Sequence, residues 1–393
     1  MQGGSGDEMY YGKVRVETAA FQDDIAKPCG DVVSAQSGMV RLATMLSERK
    51  LEAHSEKTGY LVFGSDMFKE KVEKEVELRP LVFGEFEVRR KRSDKYLGQV
   101  LHEGGLARSV QATIEDRASK IKGAIYTTAS ILNTIEMQAM GGLMAAKHLW
   151  EGAIVPSLLA GAGTWVGCTA KEEQMCEELQ ELFWRTILQV PRGTPKVMLR
   201  AETTSLKMKF RIWREKMRIV QRIRNQERSL AKAIHDEQVA MGWPGLAKEV
   251  KEICKVVGVE DINVKEVDKE ELNEAILYAN MKEMKLELER YGKLEDVKRE
   301  DFRKEQDYMK EKAVDKARMA FRLRTKMVPK VKMNYKNMHK GNLKCEECDL
   351  DEDESQEHMV VCPGWAEELG SLDVTRLADK VEFFTRVLRR KLT

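Results

Sequence analysis

The chain has 393 residues, enough to bury a sizeable core and to form two or three domains, so a mere tail is excluded. Its 67 Lys and Arg nearly cancel 65 Asp and Glu, so net charge points to no partner and only the distribution of charge can. The start MQGGSGDEMYYGK has neither a basic cluster nor an apolar run, and the seven cysteines form no disulfide pattern, so an intracellular, reducing location is expected.

Tyr10 to Phe21 is rich in β-branched and aromatic residues and predicts a hairpin with the pair Asp23-Asp24 at its turn. After Gly30, apolar residues at Val32, Met39, Leu42, Met45 and Leu46 predict an amphipathic helix. A strand over Gly59 to Gly64, a hairpin over Leu81 to Val88, a basic run Arg89-Arg90-Lys91-Arg92 and a short strand over Lys95 to Gly98 follow. From about Ser109 to residue 235 the texture is helical, and 245–320 reads as charged helices with Glu and Lys often four apart. Residues 152–170 lack charge, but Pro156, four glycines and the flanking Lys147 and Glu151 favour a buried helix and turn, so no membrane partner is expected.

Three constellations carry chemistry. The adjacent carboxylates of AFQDDI repel each other unless a cation lies between them. They read either as an Asp-rich turn or as a magnesium or manganese site built from oxygen ligands. Cys345-x2-Cys348-x9-His358-x3-Cys362 has the spacing of a tetrahedral zinc site, whereas His54, His102, His148, His235 and His339 have no such company. Lys316 to Lys344 holds ten cations and no acid, and residues 205–232 hold ten cations against two acids. At helical spacing Lys207, Arg211, Arg214, Arg218 and Arg222 share one arc, with Ile212, Ile219, Val220 and Ile223 opposite and Lys216 out of place. Such an arc binds phosphate backbones or is simply a solvated face.

Taken together, these residues resemble the reverse transcriptase of non-LTR retrotransposons. AFQDDI is similar to the aromatic-x-Asp-Asp turn of that family. Lys57-Thr58 followed by Tyr60-Leu61-Val62-Phe63-Gly64, and then Tyr96-Leu97-Gly98, resemble its next segments. Leu158-Leu159-Ala160-Gly161 with Gly163-Thr164-Trp165, Phe183-Trp184-Arg185, and Val190-Pro191-Arg192-Gly193-Thr194-Pro195 are similar to its thumb, and the Cys-Cys-His-Cys end is also a family feature.

The resemblance implies an α+β protein: a partial palm (1–108), a helical thumb-like domain (109–235), a charged helical connector (236–340) and a zinc module with a C-terminal helix (341–393). It implies magnesium at Asp23 and Asp24, Lys57 near an incoming triphosphate, Tyr96, Leu97 and Gly98 at a primer end, and the basic segments on the phosphates of an RNA template and DNA primer. A nuclear location follows. A palm also needs another Asp on an upstream strand. Only 22 residues precede Asp23, and those around Asp7 are Gly-rich with no strand to present one. The expectation is therefore a C-terminal fragment of an RNA-directed DNA polymerase, inactive or very weak alone. The competing class is a non-catalytic, zinc-containing nucleic-acid-binding protein.

Overall fold

The computed structural model describes residues 9–16, 18–21, 24–132, 134–139, 141–291, 302–334 and 342–392. By its contacts the chain divides into two units of interleaved segments. Unit one is Met1–Ser119, Leu158–Cys176 and Met208–Ile276; unit two is Lys120–Ser157, Glu177–Lys207 and Leu277–Thr393. The boundaries expected after residues 108 and 235 both fall inside unit one, and that after 340 falls inside unit two.

The strands are β1 (Met9–Tyr11), β2 (Val14–Val16), β3 (Ala19–Phe21), β4 (Asp24–Ala26), β5 (Gly59–Tyr60), β6 (Val82–Phe83), β7 (Phe86–Glu87), β8 (Arg89–Arg90), β9 (Ser93–Tyr96) and β10 (Gln99–His102). They pair two by two: β1–β2, β3–β4, β6–β7 and β9–β10 are antiparallel, and β5–β8 is parallel. The single hairpin expected over Tyr10 to Phe21 is instead two. Gly12, at φ +60°, turns the chain between β1 and β2 with Tyr11 opposite Val14, so a second ladder begins at Ala19. The strand expected over 59–64 ends at Tyr60, because the Val62 amide donates to the Glu103 carboxylate (2.8 Å) instead of a ladder and Gly64 has φ +144°.

Two helices lie among the strands, α1 (Val32–Glu48) and α2 (Asp66–Leu78). Asp31 starts α1 by accepting the Ser34 amide at 2.7 Å, and Met39, Leu42 and Leu46 then pack on Leu81, Phe83 and Val88. The Gln36 amide fixes the register of β6 by bonding both the N–H and the C=O of Val82. Among the described residues the remaining α-helices are α3 (Leu106–Ile131), α4 (Ile135–Ala139), α5 (Leu143–Leu149), α6 (Val155–Leu158), α7 (Ala170–Leu188), α8 (Lys196–Thr203), α9 (Met208–Arg224), α10 (Leu230–Met241), α11 (Leu246–Val257), α12 (Lys269–Leu288), α13 (Val314–Arg324), α14 (Gln356–Met359), α15 (Ala366–Leu369) and α16 (Leu377–Leu392). The described strands all lie at or before His102 and helices dominate afterwards, which is an α+β arrangement.

In unit one, α9 packs on α11 and on the turn Ala162–Thr164. In unit two, Trp150 stacks on Phe183 with ring centroids 4.5 Å apart, and α13 packs on α16 around Phe383, Phe384, Val387 and Trp365. No described helix is long and apolar enough to cross a membrane.

Candidate functional site

In unit one the structure joins three segments singled out in the sequence. The β3–β4 ladder sets Phe21 opposite Asp24 and Ala20 opposite Ile25, so two residues separate the strands; Asp23 is one of them and lies outside the described residues. Asp24 is exposed. The Tyr96 hydroxyl donates to the Ala19 carbonyl on β3 at 3.3 Å, tying the β9–β10 hairpin to this ladder. At its tip Leu97 and Gly98 have φ +49° and +74°, the left-handed pair of a two-residue hairpin turn. Leucine is disfavoured there by roughly 1–2 kcal/mol, yet Leu97 keeps that backbone with 48% of its surface exposed. Strain of this kind on an apolar, outward residue marks a contact surface more readily than a packing need.

The same turn is fastened to the Leu158–Trp165 segment. Arg117, on α3, donates to the carbonyls of Leu158 (2.8 Å), Ala160 (2.8 Å) and Gly98 (2.7 Å), and its guanidinium lies over the Trp165 ring. Gln99 donates to the Ala160 carbonyl and accepts from Trp165 Nε1, both at 2.8 Å. Gly161, at φ +71°, must stay small, since a Cβ there would lie 2.4 Å from the Gln99 amide nitrogen. Sequence reading missed Arg117 and Gln99, whose partners are mostly backbone carbonyls 19–61 residues away and leave no pattern in the sequence.

Two further quoted segments meet in unit two. Arg185 of Phe183-Trp184-Arg185 donates to the carbonyls of Pro191 (3.1 Å) and Thr194 (3.2 Å), closing the Val190-to-Pro195 loop back on α7.

The basic residues sit differently from the expected arc. Arg211 is 3% exposed, and Lys207 is held by Glu283 (2.7 Å) and Glu287 (2.9 Å). Arg218 bonds Glu215 and Asn273, and Arg214 lies 3.7 Å from Glu215. Arg222 is exposed. The difference has a physical cause: α9 buries Phe210, Ile212, Met217 and Val220 around much of its circumference, which draws its cations into ion pairs. Lys216, out of place on the sequence pattern, is buried and pairs with Glu249 at 2.8 Å. Lys57 is exposed, and its carbonyl accepts from Lys91 Nζ. In the run Arg89 to Arg92, Arg90 pairs with Glu103, whose carboxyl is pushed up by burial but held below its ordinary range overall by Arg90 and the Val62 amide.

The Cys-His constellation closes in unit two. Cys345, Cys348, His358 and Cys362 offer one ligand atom each, all within 4.8 Å of one another, and this is the grouping of three or more potential ligands found among the described residues. A bridge between Lys344 and Asp353, with Cys345 N–H donating to Glu352 O, folds the acidic loop back on the first thiol. Ser355 caps α14 and orients His358 by accepting its amide at 3.0 Å. The Cys345 and Cys362 sulfurs are 3.8 Å apart, and Cys348 Sγ lies 3.4 Å from His358 Nε2. Tetrahedral zinc with Zn–S of about 2.3 Å and Zn–N of about 2.0 Å sets its ligands about 3.8 Å (S–S) and 3.5 Å (S–N) apart, so the donor set fits a metal ion of that size. Burial pushes the Cys345 thiol up and the Cys362 thiol to about 12, while the amides of Glu347 and Gly364 bond their sulfurs in the opposite sense. Thiols so disfavoured as anions need a cation to hold them as ligands. Asp24 joins no comparable grouping among the described residues.

No protein-family model, curated protein or solved structure compared with this chain gave a match.

Proposed function

We propose that the chain is a portion of a reverse transcriptase of the non-LTR retrotransposon kind, binding template and primer nucleic acid. What supports this is one observation. The Asp-pair ladder, the Tyr-Leu-Gly turn and the Leu-Leu-Ala-Gly to Trp165 segment, far apart in sequence, are joined by Tyr96, Gln99 and Arg117, as a polymerase that grips a primer end beside its carboxylates would require. In this reading Asp23 and Asp24 take magnesium or manganese, Lys57 faces an incoming triphosphate, and Leu97 touches the primer end. The Cys345, Cys348, His358 and Cys362 cluster takes zinc. Four protein ligands leave no open position, so that metal is structural. A nuclear site of action belongs to the same reading.

A primer-extension assay with purified protein and magnesium or manganese tests it, beside a binding titration on a primer–template duplex. Salt-sensitive binding weakened by Leu97→Ala, with extension absent or weak, is expected. Lack of any nucleic-acid binding would sink the proposal. The second reading, a non-catalytic nucleic-acid-binding protein, is favoured by the complete Cys-His cluster, which needs no polymerase centre to serve a binding module. It expects binding that survives Asp23→Ala and Asp24→Ala together, and template-dependent extension lost in that variant would overturn it.

A further inference from the structure

The last turn of α16 reaches back to the metal cluster through one side chain. Arg390 donates to Glu347 Oε2 (2.9 Å) inside the Cys345-to-Cys348 turn, to the Gly364 carbonyl (3.0 Å) just after Cys362, and to both carboxylate oxygens of Glu368 (3.1 and 3.0 Å). Its guanidinium lies 4.6 Å from the centroid of the Trp365 ring, which is 1% exposed. One planar fork thus touches both thiol-bearing turns. Those turns must meet closely: a Cβ on Gly364 would come 2.0 Å from the Glu347 carbonyl oxygen. Next to it, Lys391 donates to Glu354 (2.6 Å) and to the Lys330 carbonyl, so the helix end is anchored on the loop that folds over Cys345.

We propose that Arg390 is a positioning residue for the metal centre, holding the Cys345–Cys348 and Cys362–Gly364 turns at the separation that a tetrahedral ion needs. The proposal rests on the metal reading given above. Its physical basis is twofold. Three thiolates and a neutral imidazole around a divalent cation leave one net negative charge, which a guanidinium beside the cluster offsets. Groups that orient metal ligands typically change affinity 10–100-fold when removed. A lysine reproduces the effect poorly, because its one nitrogen cannot replace the two guanidinium nitrogens by which Arg390 holds Glu347 with one and Gly364 and Glu368 with the other.

The experiment uses the full chain, purified reduced, with zinc affinity measured by competition against a chromophoric chelator and with the absorption spectrum of the cobalt-substituted protein. Three variants are compared: Arg390→Ala, Arg390→Lys and Arg386→Ala. Arg386 lies on the same helix and bonds Glu382 and the Glu368 carbonyl, but neither thiol-bearing turn, so it reports general loosening of α16. The expected result is about tenfold weaker zinc binding and a shifted cobalt spectrum for Arg390→Ala, little recovery in Arg390→Lys, and wild-type affinity in Arg386→Ala. Wild-type affinity and spectrum in Arg390→Ala overturn the proposal while leaving the metal reading intact, as does equal weakening in Arg386→Ala. A wild-type chain that takes up no metal overturns both.

Discussion

Arg117→Ala removes the cation that ties the Tyr-Leu-Gly turn to the Leu158–Trp165 segment. Three carbonyls lose a charged donor: Leu158, Ala160 and Gly98. A hydrogen bond from a charged group is worth about 1.5–3 kcal/mol, and an acceptor that water can serve afterwards loses much less. Leu158 is buried, while Ala160 and Gly98 are exposed. One loss of about 1.5 kcal/mol and two of about 0.5 kcal/mol total about 2.5 kcal/mol, or about 60-fold in a local opening equilibrium. Because the chain has two units, a single global melting midpoint is a poor reporter. Amide hydrogen exchange on peptides covering 96–102 and 158–165 reads the opening directly, with the α1 peptides as an internal control. Faster exchange by about this factor in both peptides, with α1 unchanged, is expected. Unchanged exchange, or an equal rise everywhere, would refute the reasoning.

Leu97→Gly relieves the left-handed backbone at the hairpin tip, so thermal stability stays level or rises slightly while nucleic-acid binding falls; loss of fold, or unaltered binding, would show that Leu97 serves packing instead. Gly364→Ala forces a methyl group against the Glu347 carbonyl and is expected to abolish stoichiometric zinc without touching a ligand, a result read by elemental analysis. Acid lowers stability in two windows. His235 is buried and its pKa is depressed chiefly by burial, so its contribution is complete above about pH 6.5 and declines as pH falls below that. The Glu103 carboxyl, raised by burial but held low overall by Arg90 and the Val62 amide, contributes above about pH 4.3 and loses that contribution on further acidification. Urea midpoints against pH check this, with His235→Leu expected to flatten only the upper window.

Legibility in the sequence followed the distance over which each feature is built. The Cys-His cluster spans 18 residues from Cys345 to Cys362 and is specified by local spacing, so it is read directly. The helix after Gly30 is legible for the same reason, whereas its Asp31 cap is seen only in the structure. The division of the first hairpin turned on one glycine, Gly12, set among β-forming residues that mask it. Arg117 and Gln99 were invisible because a carbonyl acceptor has no side-chain signature. The α9 arc was legible as a periodicity but not as a burial, since the glutamates that bind Lys207 lie 76 and 80 residues further on, in α12.

That last point bears on how the protein would meet nucleic acid. Each phosphate neutralised on duplex DNA adds about 0.9 to the slope of log affinity against log salt, so the five cations of the arc, Lys207 and four arginines of α9, would together give about 4.5. Arg211 is buried, and Lys207, Arg214 and Arg218 are engaged, so they would have to break existing bonds to contribute. Breaking such a partly buried pair leaves its carboxylates uncompensated, which costs more than a phosphate contact returns. The expected contribution of α9 is therefore about one unit of slope, carried by exposed Arg222. Arg222→Ala should lower the measured slope by about that amount, whereas Arg211→Ala should destabilise the fold and leave the slope unchanged. A fall of similar size in both variants would mean that α9 turns its buried Arg211 outward on binding, and that this burial is not a fixed part of the fold.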